Sequence, residues 1–349
     1  MKIIIAIVIF SAIILFHELG HFLFAKLNKI VVTEFSLGMG PRLYSFEKGD
    51  TRYSLKLLPI GGSCAMLGED TDIENEPGTF NSASVWGRIS VVAAGPVFNF
   101  IMAFVLSVII VGAVGYEPSR VLSVKEGSAA EAAGLKEGDV ITKLDGRKIH
   151  LSREISMYLM TAGQDPVQVE YRRYDETSSS WTAEHTVIQP EFKDGRYYLG
   201  VILQGHRDAP ESLVQVLQYS VYEVRYWILT VIDSLKMIVG GKVTTNDIAG
   251  PVRIVTIIDQ TVEENTQYGF VTVVMNLLNL MVMFSANLGV MNLLPFPALD
   301  GGRLVFLFWE LVTGHPVSQR IEGAVNMTGM ALLMTFMVFV VLNDLRILF

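Results

Sequence analysis

The chain has 349 residues, 51% of them hydrophobic, and a mean hydropathy of +0.42. That composition excludes an ordinary soluble enzyme and points to several membrane spans. The net charge of −8 gives no support to nucleic-acid binding, and the single cysteine, Cys64, excludes an intrachain disulfide.

The first apolar run, Ile3 to Ala25, is long enough to cross a hydrocarbon core of roughly 30 Å as an α-helix. Its titratable residues are His17, Glu18 and His21. One lysine precedes it and no small-residue cleavage site follows before Lys26, so it reads as a retained helix. The mixed stretch that follows contains TRYSLKLL, Thr51 to Leu58, with Tyr53, Leu55 and Leu57 on one face and Arg52, Ser54 and Lys56 on the other. That alternation predicts a strand, with a turn at Pro59-Ile60-Gly61-Gly62. A second uncharged run, Ile89 to Gly115, predicts the second span.

Residues 116–267 are of ordinary soluble composition and acidic, with 16 Lys and Arg against 22 Asp and Glu. VLSVKEGSAAEAAGLKEGDVITKLDGRKI reads as strand, loop, short helix, Gly138-Asp139 turn and strand. Three further strands lie in VQVEYRRY, AEHTVIQ and YYLGVIL. Residues 212–240 then form an amphipathic helical stretch, suited to a membrane surface, to the side of a transmembrane core or to a plain connection. The third span begins at Tyr268 and the fourth lies within Gly323–Asn343. The third is too long for one straight helix, and its Pro-Phe-Pro cannot continue one, so the helix is expected to stop near Val290.

His17-Glu18-Leu19-Gly20-His21 is H-E-x-x-H. On a helix, residues i and i+4 share a face, so both imidazoles can reach one metal ion with Glu18 beside them. A catalytic zinc site normally has three protein ligands, and Asp300, after the helix-breaking NLLPFPAL, is the obvious third. Gly301 and Gly302 permit its close approach. Glu18 lies about 22 Å along the first helix by rise per residue, which places the site inside the bilayer near one end. A carboxylate at that depth is costly, so it reads as functional.

H-E-x-x-H in the first span together with NLLPFPALDGG resembles the site-2 protease family of intramembrane metalloproteases (M50 type), in particular its bacterial RseP-like branch. AAGPVFNF resembles the family's second-helix Gly-x-x-x-Asn motif, here Gly95 and Asn99, and GKVTTNDIAGPVRI and NDLRILF are similar to its juxtamembrane and C-terminal segments. The resemblance implies Zn2+ held by His17, His21 and Asp300, with Glu18 as catalytic base. It implies Asn287, Asn292, Pro295 and Pro297 as residues that shape substrate binding. Asn99 reads as a donor to the oxyanion or as an interhelical hydrogen bond. Tyr53, Leu55 and Leu57 mark a strand edge that could hold an unwound substrate. The acidic insert resembles a bacterial PDZ domain, a peptide binder or a size filter, and only one such module fits.

The expected fold is an α-helical polytopic membrane protein with four transmembrane helices, an inserted α+β PDZ-like domain and a membrane-associated β-hairpin. Its expected divisions are 1–114, 115–205, 206–265 and 266–349. The expected partners are single-span membrane proteins, with a peptide or substrate ectodomain at the PDZ-like domain and no nucleic acid. Lys26, Lys29 and Arg88 flank the first loop and Arg303 and Arg320 the last, so both loops are expected in the cytoplasm of a bacterial cell, with termini and PDZ-like domain outside. His150, His185, His206 and His315 lack ligand spacing and read as surface residues. The rival is an ion- or proton-coupled transporter using the His/Glu/Asp cluster. It is disfavoured because no inverted repeat is visible and a transporter has no need of a PDZ-like module. A catalytically dead peptide-binding scaffold is disfavoured by the intact Glu18.

Overall fold

The computed structural model describes residues 2–69, 76–193, 195–203, 205 and 207–348, so His206 lies outside the described residues. The chain divides into two compact units, Met1–Leu106 with Gly241–Phe349, and Ser107–Gly240.

In the first unit, α1 (Lys2–Leu27) leads into β1 (Val32–Lys48) and β2 (Thr51–Met66), followed by α2 (Val85–Val114), which continues into the second unit. Glycines bend both strands: Gly38 has φ +89° and Gly61 φ +88°, a region side-chain-bearing residues avoid. Consequently residues 34–37 pair with 52–55 on one side and with 62–65 on the other, while 44–47 pair with 52–55 from the far side. The spatial order is therefore 44–47, 52–55, 34–37, 62–65. Two sequence expectations change. No turn forms at 59–62, because β2 runs through it. Nor do Tyr53 and Leu55 lie on an open edge, since residues 52–55 are paired on both sides. The edges lie at 44–47 and at 62–65.

The second unit carries β3 (Ser123–Val124), α3 (Ala129–Ala132), β4 (Val140–Leu144), β5 (Arg147–Lys148), α4 (Ser152–Ala162), β6 (Val167–Asp175), β7 (Ser180–Ile188), β8 (Glu191–Lys193), β9 (Arg196–Tyr198), β10 (Val201–Ile202) and α5 (Leu213–Val239). A four-stranded sheet of order β5-β4-β6-β7 and the pair β10-β3 enclose a core of Val121, Ile141, Leu144, Ile155, Val169 and Leu199. This is the PDZ-like α+β domain. The helix α5 starts at Ser212, whose side chain accepts from the Gln215 N–H, a capping bond that satisfies an orphan donor. Its charges turn toward the domain: Arg147 pairs with Asp233 at 2.6 Å, Arg225 with Glu154 at 2.9 Å, and Arg153 with Glu223. His150 stacks on Tyr222, with ring centroids 3.8 Å apart, whereas His185 and His315 are exposed.

The first unit resumes with α6 (Pro251–Thr266), α7 (Phe270–Leu293), α8 (Asp300–Thr313) and α9 (Gln319–Leu348). The α7 helix runs three residues beyond the expected stop, to the last residue before Leu294-Pro295. Neither α6 nor α8 was expected as a separate helix. The buried Asp344 of α9 caps α6, accepting from the backbone N–H of Gly250, Val252 and Arg253 at 3.0, 3.1 and 3.0 Å. Ile258 of α6 then packs with Ala6, Ile9 and Ile13 of α1, Met102 of α2 and Phe284 of α7. Among the described residues, four helices are long and apolar enough to cross a membrane: Ile3–Leu27, Val85–Val114, Phe270–Leu293 and Gln319–Ile347.

Candidate metal centre

His17 and His21 lie one turn apart on α1, and both are buried. Their Nε2 atoms stand 3.1 Å from each other. Asp300, the first residue of α8, brings its Oδ2 to 3.2 Å from His17 Nε2 and 3.6 Å from His21 Nε2. Two ligands on a tetrahedral zinc, each bound at about 2.0–2.1 Å, stand ~3.3 Å apart. The three atoms thus already have the spacing that one ion imposes. They are the group of His, Cys, Asp and Glu side chains able to hold a metal ion among the described residues. Asp300 Oδ2 is buried, and no hydrogen-bond donor is aligned on it among those residues. A cation would satisfy it, so the residues fit the group.

The surroundings orient the imidazoles. His21 Nδ1 lies 2.9 Å from the Val91 carbonyl, to which an Nδ1–H donates, leaving the Nε2 lone pair for a ligand bond. His17 Nδ1 faces the wholly buried Asn99 side-chain amide at 3.1 Å, and the Ser285 hydroxyl of α7 donates to the backbone carbonyl of Asn99 at 2.8 Å. The rings fit because Gly95 is bare: a Cβ there would sit 2.3 Å from His21 Nε2 and 2.7 Å from His17 Cε1. Glu18 is half-buried between the helix and the sheet edge. The Cys64 backbone lies beside it, and its Cγ would stand 3.0 Å from a Cβ on Gly62.

The Asp300 side is built by a tight loop. Leu294-Pro295-Phe296 follows α7, and a Cβ on Gly301 would meet the Leu294 carbonyl oxygen at 2.1 Å, one on Gly302 the Phe296 carbonyl oxygen at 2.4 Å. Ion pairs then brace α8: Arg88 of α2 holds Glu310 at 2.6 Å, and Arg303 holds Glu69.

Of the remaining expected site residues, Asn292 is half-buried with Nδ2 3.4 Å from His17 Nε2. Asn287 and Pro295 are exposed, and Pro297 packs on Gly329 of α9. Tyr53 joins an aromatic cluster with Phe22, Phe35 and Phe46, while Leu55 and Leu57 are exposed. Sequence reasoning passed over the Val91 carbonyl, as backbone groups carry no residue signature. It also passed over the packing role of Gly95, whose signal was its place four residues before Asn99.

Similarity to known proteins covers nearly the whole chain. The profile of Peptidase family M50 matches residues 5–336. A zinc metalloprotease RasP of Shouchella clausii is 32% identical over 98% of this chain and 98% of that one. The regulator of sigma-W protease RasP of Bacillus subtilis is 29% identical, again over 98% of each. A PDZ domain of an SdrC-like protein from Listeria monocytogenes aligns with 26% of this chain and 90% of its own at 30% identity, with a TM-score of 0.22. The chain belongs to Peptidase family M50, the intramembrane zinc metalloproteases that its His-Glu-Leu-Gly-His and Leu-Asp-Gly motifs resemble.

Proposed function

We propose that His17, His21 and Asp300 are the zinc ligands and that Glu18 is the general base for cleaving peptide bonds within membrane-spanning segments. The observation that carries this is the convergence of three ligand atoms, 3.1–3.6 Å apart, from both ends of the chain, with Glu18 one residue from the first of them. When bound there, zinc supplies Lewis-acid chemistry that brings the pKa of a water toward 7.

The chain's own groups do the rest. Glu18 takes the proton of the attacking water and returns it to the leaving amide nitrogen, as a general base that becomes a general acid. Asn292, with its amide beside the ligand cluster, donates to the developing oxyanion. A helical substrate must be unwound to expose its amide, and the 62–65 edge beside Glu18 offers main-chain groups to an extended segment. Asn287, Pro295 and the exposed Leu57 line the approach.

The substrates on this reading are single-span membrane proteins, of the anti-sigma-factor or residual signal-peptide kind, and the PDZ-like domain binds or screens their outer portions. The B. subtilis relative, by name a regulator of sigma-W protease, supports the first kind. The basic residues Lys26, Lys29, Arg88, Arg303 and Arg320 favour cytoplasmic loops in a bacterial inner membrane, with both termini and the PDZ-like domain outside.

The test is cleavage of a single-span substrate by purified protein in detergent. Activity is expected to vanish on chelation, to return with zinc, and to be absent in Glu18→Gln although that variant still binds zinc. Cleavage by Glu18→Gln would overturn the mechanism.

A further inference from the structure

Ala298 stands two residues before Asp300 with φ +72°. Only three other non-glycine residues share that region among those described, Lys29, Asp145 and Ser179. Each has a polar side chain, and alanine has none to bond locally in compensation. Such a conformation persists only where its surroundings enforce it. Here the Ala298 N–H donates to Oδ1 of Asn326, on α9, at 3.3 Å. Gly329, three residues on and so on the same helix face, receives Pro297, and a Cβ there would lie 2.4 Å from Pro297 Cβ. One face of the fourth span therefore seats both residues that lead into Asp300. Downstream, Gly301 and Gly302 are pinned against the carbonyls of Leu294 and Phe296, so a change of φ at Ala298 falls on the Leu299–Asp300 link.

We infer that Asn326 is a positioning residue: by holding Ala298 in the left-handed conformation it sets Asp300 against His17 and His21. This rests on the reading of Asp300 as a metal ligand. It gives the fourth span, which supplies none of the three converging side chains, a share in building the centre. It also explains an amide in an otherwise apolar stretch of α9, where an interhelical hydrogen bond with no bearing on the site is the alternative.

The experiment uses the full chain in detergent, with zinc affinity read by chelator competition beside kcat and KM for a single-span substrate. Asn326→Leu is expected to weaken zinc binding roughly tenfold, the lower end of what loss of a group supporting a ligand costs, and to lower kcat with KM unchanged. Ala298→Gly, free of the Cβ penalty, is expected to behave as the parent. The double variant Asn326→Leu/Ala298→Gly is expected to regain most of the affinity, which a generic helix contact would not allow. If Asn326→Leu does not accumulate, Asn326→Ala reads the same quantity. Unchanged affinity in the single variant, or no recovery in the double, overturns the inference. Asp300→Ala separates it from the reading beneath. Parental zinc affinity in that variant would remove both, whereas zinc loss there with none in Asn326→Leu would remove only the role of Asn326.

Discussion

Asn99 places its side-chain nitrogen 3.1 Å from Nδ1 of His17, and its own Oδ1 is buried without a partner among the described residues. Turning the amide end over end brings Oδ1 to His17 and puts the NH2 where Oδ1 stood. Oδ1 then accepts from an Nδ1–H, and the orphan acceptor is satisfied. The tautomer this selects leaves His17 Nε2 with its lone pair, as a ligand must be, and matches the state that the Val91 carbonyl imposes on His21. On the proposed reading of His17 as a zinc ligand, this geometry gives Asn99 the part of orienting that ligand.

That role has a measurable signature. Asn99→Leu removes the acceptor and is expected to weaken zinc binding by about 10- to 100-fold. Asn99→Asp, which still accepts from Nδ1–H, is expected to retain zinc. Chelator competition on the two variants decides it. An oxyanion donor would show the reverse pattern, with zinc kept in both and cleavage lost.

Gly95→Ala puts a methyl group where the two imidazoles already stand, 2.3 Å from His21 Nε2. Neither ring can yield without breaking its bond to Val91 or Asn99, so the ligand pair must move. A displacement near 1 Å at a reacting centre costs on the order of 100-fold in rate, and cleavage is expected to fall by at least that much with helix content unchanged. Gly112→Ala, on the same helix, meets nothing within 4 Å and is expected to be neutral. Cleavage at the parental rate by Gly95→Ala would show that the pair can sit elsewhere.

The difference between these two glycines shows what a sequence carries. The His17–His21 pair was legible because helical periodicity alone puts i and i+4 on one face, and Asp300 because Pro-Phe-Pro forces the chain to turn before it. The four spans were legible by length. The double pairing of residues 34–37 was not: the period-two pattern of Thr51–Leu58 fixes a strand but carries no record of how many neighbours it has. Likewise the amphipathic character of α5 was legible, but whether water or Arg153, Glu154 and Arg147 meets Glu223, Arg225 and Asp233 depends on tertiary docking.

Glu34 gives the sheet a pH limit. Burial opposes its charge, but hydrogen bonds from Arg42, Ser54 and Lys56 outweigh that and hold the carboxyl down to about 2, against an ordinary value of 4.5. A depressed carboxyl stabilises the fold above the unfolded value, and that contribution is lost as pH falls from 4.5 toward 2. Amide protection in 34–56, taken relative to the intrinsic exchange rate at each pH, is expected to fall across that window. In Glu34→Gln that loss of protection is expected to disappear, at the cost of lower protection at neutral pH. Protection in the variant that still falls between pH 4.5 and 2 would assign the effect to other groups.

Arg225 has a larger obligation, because Glu154 on α4 is fully buried and takes two bonds from that guanidinium, at 2.9 and 3.1 Å, beside a longer one from the His150 N–H at 3.4 Å. Burial raises the Glu154 carboxyl above its ordinary value, and Arg225 offsets part of that rise. Arg225→Met strands a carboxylate in the interior, a change that costs about 3–5 kcal/mol, whereas replacing both partners by apolar residues is often neutral. Arg225→Met is therefore expected to loosen α5 from the domain, read as faster amide exchange in α4 and α5 at pH 7. The double variant Glu154→Leu/Arg225→Met is expected to restore protection. The sign of the pH effect follows: a carboxyl with a raised folded value binds its proton more tightly folded than unfolded, so the single variant's deficit shrinks as pH falls toward 4.5. A deficit that persisted undiminished in acid, or in the double variant, would mean that Arg225 holds α5 through its bond to the Lys148 carbonyl and not through Glu154.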